Sequence, residues 1–124
     1  MRAMKVLVVL GLVLLVELFL SNHVLAQQSI VQLFKSDLTL ANEHFEKGEI
    51  VPALKLYERS KRTGNTYLMM GRCYFLLRDY QQCADAYARA YSRGDQFERV
   101  DYLNLAEAQL SLKNYEQAEL NYQK

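Results

Sequence analysis

One spacing of small and aromatic residues recurs along this chain and limits its fold more than any other feature. In the stretch from Gly71 to Ala90, GRCYFLLRDYQQCADAYARA, Gly71 is followed nine residues later by Tyr80, twelve later by Cys83 and sixteen later by Tyr87. The same spacing gives Ala41, Ile50, Ala53 and Tyr57 upstream, and Ala106, Tyr115, Ala118 and Tyr122 downstream. A leucine stands three before each small residue (Leu38, Leu68, Leu103) and a large apolar residue four after it (Phe45, Phe75, Leu110). Copies separated by 30 and then 35 residues mark a chain built from stacked repeats of one unit.

Each copy reads as two helices joined by a tight turn. Apolar residues at three- and four-residue steps share one helix face, and short turns force neighbouring helices to run antiparallel. Ser29 with Gln32 has the form of a capping box, and Ile30, Leu33, Phe34, Leu38, Ala41 and Phe45 continue at helical spacing. This predicts one long amphipathic helix ending at Gly48; the alternative is a fresh start at Ser36-Asp37. Pro52 falls in the first turn of the next helix, where its missing N–H costs nothing. Arg62-Thr63-Gly64-Asn65 is a turn by composition, Arg78-Asp79 is the tight turn of the second unit, and a longer connection near Ser92–Asp95 accounts for the change of period. A third pair runs from Val100 to Leu112 and from Asn114 onward. Where two helices cross closely only small side chains fit, so Ala41 should meet Ala53, Gly71 should meet Cys83 and Ala106 should meet Ala118. The tyrosines then fill the gaps around each crossing. The expected fold class is all-α: antiparallel helix hairpins stacked so that each buries a face that it cannot bury alone.

The first residues are of another kind. Arg2 and Lys5 precede an apolar run from Val6 to Leu20, interrupted only by Gly11 and Glu17, and Val24-Leu25-Ala26 supplies small residues at a cleavage site. Charge, apolar run and cleavage site together describe a secretory signal peptide over residues 1–26, cut between Ala26 and Gln27, with residues 27–124 as the exported domain. The run is shorter than the about 20 residues a membrane-spanning helix needs, and an uncleaved anchor is the alternative.

Removing residues 1–26 takes two of 15 basic and one of 14 acidic side chains, which leaves 13 of each. A neutral chain with scattered basic residues lacks the electrostatic footprint of a nucleic-acid binder. His44 is then the lone histidine. No nucleophile, base and orienting acid stand at motif spacing, and no metal-ligand cluster is visible, so an enzyme, a cofactor or a small-molecule substrate is not expected.

The repeated columns resemble the tetratricopeptide repeat, most clearly in GRCYFLLRDYQQCADAYARA and NLAEAQLSLKNYEQAELNYQK, and also in LANEHFEKGEIVPALKLYERS. The resemblance implies repeats at about 34–62, 64–95 and 99–124, the last incomplete, forming a short right-handed α-solenoid. Tyr67 and Tyr102 stand where that family often has tryptophan, and Asp95 where it often has proline. The chain is also similar, more weakly, to the N-terminal repeat region of Bacteroidota OmpA-like envelope proteins, some associated with type IX secretion or gliding. That likeness implies the periplasm or cell envelope of a Gram-negative bacterium.

In tetratricopeptide proteins the first helix of each hairpin lines a concave groove that binds peptides or helices. Carried onto this chain, the groove presents Lys35, Leu38, Asn42 and Phe45 from the first unit, then Asn65, Leu68, Arg72, Phe75 and Leu76, then Leu103, Glu107 and Leu110. The alternative is that neighbouring helices or the segment Ile30 to Phe34 already cover it. Of the positions that form a carboxylate clamp in some members, only Asn42 is suitably filled. The implied function is a non-catalytic scaffold that binds an envelope partner or its own downstream domains; the alternative is an exported chaperone that holds apolar or unfolded segments.

Cys73 and Cys83 would meet an oxidising compartment, so a disulfide has to be considered. Cys73 lies about 200° around the helix from Gly71, which Cys83 should approach, so two buried free thiols are expected. The third unit stops before the counterpart of Ala90 with no polar capping helix. This leaves an apolar face for further domains, a partner or a second copy.

Overall fold

A computed structural model describes residues 1–124 apart from the side chains of Val31, Gln32 and Phe34, and among the described residues it is all-helical. The order is α1 (Arg2–Phe34), α2 (Asp37–Glu46), α3 (Ile50–Arg59), α4 (Gly64–Leu76), α5 (Tyr80–Ser92), α6 (Arg99–Ser111) and α7 (Tyr115–Tyr122). The chain divides into two compact units, Met1–Lys35 and Ser36–Lys124.

The first unit is α1. Its described apolar residues are exposed, and Arg2–Ile30 is long and apolar enough to cross a membrane by length and composition. The helix runs unbroken through Ala26 and Gln27. It also runs through Ser29, whose hydroxyl donates to the Leu25 carbonyl at 2.9 Å, so Ser29 does not cap a new helix. The Gln32 half of that expected capping box, and Phe34 in the apolar stripe, lie outside the described residues.

The helix expected to run through to Gly48 is instead divided. Ser36 has an extended backbone, its hydroxyl accepts the Thr39 N–H at 3.2 Å, and α2 starts at Asp37. A local side-chain cap here outweighs the continuous apolar spacing across residues 30–45. Gly64 and Asn65, expected in a turn, open α4, because Thr63 caps it by accepting the Thr66 N–H at 3.2 Å.

Three hairpins, α2 with α3, α4 with α5 and α6 with α7, make up the second unit, and each consecutive pair of hairpins is in contact. Within every hairpin three residues join the helices, and the middle one has positive φ: Gly48 (77°), Arg78 (61°) and Lys113 (63°). That residue's N–H and the next one bond back to the helix they leave, as with Gly48 to Phe45 and Glu49 to His44, both at 2.9 Å. The difference between the two repeat intervals has two sources. Three of the five extra residues lengthen α5 relative to α3, and two lengthen the connection that follows it.

The small residues sit where helices cross: Ala41, Ala53, Cys83, Ala106 and Ala118 are buried, as is Ala90. At Gly71 the close neighbour is Tyr87 rather than Cys83. A Cβ there would lie 3.1 Å from three atoms of the Tyr87 ring. Tyr57 and Tyr87 are the largest fully buried side chains, and Phe45, Phe75, Ile50 and Tyr80 pack around the same core from partly exposed positions. Tyr115 and Tyr122, at the corresponding places in the third hairpin, are exposed.

Candidate binding surface

The first helices α2, α4 and α6 carry the residues expected to line a groove, and the structure sorts them into three groups. Leu38 and Phe45 on α2 and Phe75 on α4 are half-buried and pack against the core. Leu68 is buried and belongs to the core itself, so its side chain has no surface to offer a ligand. Asn42 and Asn65 are exposed, as are Leu76 (54%), Leu103 (40%), Glu107 and Leu110 (46%). Lys35 belongs to the N-terminal unit.

Arg72 has a role that spacing did not reveal. Its guanidinium grips Asp101 on the next first helix with two bonds, Nε to Oδ1 at 2.7 Å and a terminal nitrogen to Oδ2 at 2.8 Å. Asp101 is fully buried, and two more donors complete its shell: the Tyr87 hydroxyl to Oδ1 at 3.1 Å and the Glu98 backbone N–H to Oδ2 at 3.0 Å. The Asn104 amide in turn donates to the Tyr87 oxygen at 3.2 Å. Each carboxylate oxygen therefore accepts two bonds, which is the condition under which a buried charge is tolerated. The Asp101 carboxylate raises the Arg72 pKa above its ordinary value, chiefly by hydrogen bonding, while burial raises that of Tyr87. In the first hairpin the counterpart is uncharged: the Tyr57 hydroxyl donates to Asn42 Oδ1 at 2.6 Å. Asn42 Oδ1 and the Arg72 guanidinium are thus committed to contacts within the protein.

Asp101 was missed because an acid in the first turn of a helix reads as an ordinary helix-dipole or capping residue. Its partner stands 29 positions away on another element. Phe97 was missed as well. It lies in the connection before α6, yet its ring is 5.3 Å from those of Tyr87 and Tyr102 and 6.0 Å from Tyr91. These rings, with Leu105 and Gln109, line a cleft on the side of α5 and α6. A third feature is the crown of Arg62, Arg89 and Arg93, whose guanidinium carbons lie 5.8, 5.6 and 5.1 Å from the centre of the Tyr67 ring.

Cys73 and Cys83 are both free and buried, and burial pushes each thiol up to about 12. Thiols held protonated in this way are poor nucleophiles. Among the described residues no group of three or more His, Cys, Asp or Glu side chains could hold a metal ion. His44 pairs with Glu49 across the first hairpin turn. No family model, curated protein or solved structure matches the chain.

Proposed function

We propose that the protein is an exported, non-catalytic scaffold: its hairpins form a short right-handed tetratricopeptide-like solenoid, and its first helices bind a partner protein. The observation that carries this reading is the exposure of three leucines on first helices, Leu76 on α4 and Leu103 and Leu110 on α6. Being about half exposed, these side chains gain by full burial against another apolar surface roughly half of the value for a fully exposed leucine, about 1 kcal/mol each. The repeated columns quoted above support the solenoid. The N-terminal charge, apolar run and Ala26–Gln27 site support export, and the resemblance to Bacteroidota envelope proteins supports the periplasm or envelope of a Gram-negative bacterium as the destination.

The test places a photo-crosslinking amino acid at Leu76 in cells and identifies the adducts by mass, with Gln81, exposed on α5, as the control position. One defined protein adduct, lost when Leu103→Glu is added, is expected. Adducts with many unfolded chains would favour the chaperone reading, and adducts no stronger than at Gln81 would refute a binding surface here. The intact mass of the cellular protein checks export separately: a chain starting at Gln27 is expected, and a retained α1 would make it an anchor.

A further inference from the structure

Export changes the chemistry of Gln27. In the full chain Gln27 stands inside α1, exposed, with its backbone nitrogen held in the peptide bond to Ala26. The helix runs on past it, and two residues later the Ser29 hydroxyl donates to the Leu25 carbonyl at 2.9 Å. Cleavage between Ala26 and Gln27 removes that acceptor together with the turn of helix in front of Gln27, and it converts an amide nitrogen into a free α-amine. Of the N-terminal unit only residues 27–35 are then left. These nine residues are fewer than the about 12–15 that a helix needs to persist unaided. In whatever helix remains, an ammonium group at the leading end opposes the helix dipole.

The new amine appears beside a side chain that can take it. Attack of the α-nitrogen on its own glutamine Cδ closes a five-membered ring through Cα, Cβ and Cγ; asparagine, one carbon shorter, would have to close a four-membered ring. An α-amine ordinarily titrates near about 7.7–8.0, so roughly a quarter of it is the unprotonated nucleophile at about pH 7.4. Residues 28–34 are uncharged and the first carboxylate is that of Asp37, so nothing nearby along the chain holds the amine as an ammonium ion.

We infer that Gln27 is a modification site: once it is the first residue of the exported chain, it cyclises to pyroglutamate. This rests on the export reading and its Ala26–Gln27 site. In the step the α-nitrogen bonds to Cδ, the Cδ–Nε2 bond breaks, one amine proton passes to the leaving nitrogen, and ammonia departs. No oxidant, metal or second substrate is consumed. The product is a lactam without a basic nitrogen, so the segment up to Phe34 carries no charge at all. No cation then opposes the helix dipole, and aminopeptidases find no free amine to hold.

The test is made on the protein isolated from the cells that make it. Free amines are dimethylated at lysis, so that only a terminus already cyclised in the cell escapes the label, and the N-terminal peptide ending at Glu43 is sequenced by mass spectrometry. The expected peptide begins at residue 27, is unlabelled at its terminus and is lighter by one ammonia. The Gln27→Asn chain should begin at the same residue and carry the label, because the smaller ring does not form. A labelled, uncyclised Gln27 in the unchanged chain would overturn this inference and leave export intact. A chain that keeps residues before 27 would overturn both, since the amine then never arises. A cyclised terminus at Gln28 would refute the assignment to Gln27 and move the cleavage site by one residue.

Discussion

The most informative perturbation is to separate Arg72 from Asp101. Asp101 is fully buried and takes two of its four hydrogen bonds from Arg72, whose own side chain is 20% exposed. The two partners should therefore behave unequally. Arg72→Met leaves a carboxylate in the core with only the Tyr87 hydroxyl and the Glu98 N–H, and stranding a buried charge costs about 3–5 kcal/mol. Asp101→Asn leaves an arginine that can swing toward solvent and Glu98, already 3.6 Å away, so the loss is nearer the value of charge-assisted bonds, about 1.5–3 kcal/mol. Arg72→Met with Asp101→Asn removes both charges together and should cost less than the two losses added, by about 2 kcal/mol. A small domain holds about 5–15 kcal/mol in all, so these changes are readily seen in urea unfolding followed by far-ultraviolet circular dichroism. Additivity within about 0.5 kcal/mol, or a greater loss from Asp101→Asn than from Arg72→Met, would refute the account of this junction.

Two further outcomes are expected from the same unfolding assay. Arg78→Gly and Lys113→Gly each relieve a left-handed backbone that costs a side-chain-bearing residue about 1–2 kcal/mol, partly offset by the greater unfolded-state entropy of glycine. Each should stabilise by about 0.5 kcal/mol, and a loss of stability at either would show that the side chain makes contacts worth more than the strain. The buried thiols of Cys73 and Cys83 are pushed up to about 12, and the Tyr57 and Tyr87 hydroxyls are also raised, in all four first by burial. The folded chain therefore holds these protons more tightly than the unfolded one. Their contribution is complete below the unfolded thiol value of about 8.5 and is lost as pH rises toward about 12. A midpoint as high at about pH 11 as at about pH 8 would contradict this.

How much was legible in the sequence depended on the range of the interaction that decides each feature. The columns Ala41–Ala53, Gly71–Cys83 and Ala106–Ala118 predicted helices of the right kind in the right places, because helical spacing is local and recurs in every copy. The break at Ser36 is one of two readings that the sequence allows, since a single cap competes there with a continuous apolar stripe. Leu68 was expected on the surface and is buried; its place within a repeat is the same as that of exposed Leu103, and only the neighbouring packing differs. Asp101 and Phe97 escaped notice because their partners lie on other elements.

The sequence by itself determined the helix pairs, their joining through tight turns and the apolar character of residues 6–20. These follow from side-chain periodicity and from backbone preferences that act within a few residues. The tertiary structure alone decided that Arg72 and Asp101 form a buried pair, that Tyr87 closes against Gly71, and that Tyr57 and Tyr87 are fully buried. Those outcomes depend on which helix lies over which. A buried charge or ring is set by every neighbour at once, and no spacing along one strand of sequence contains that information.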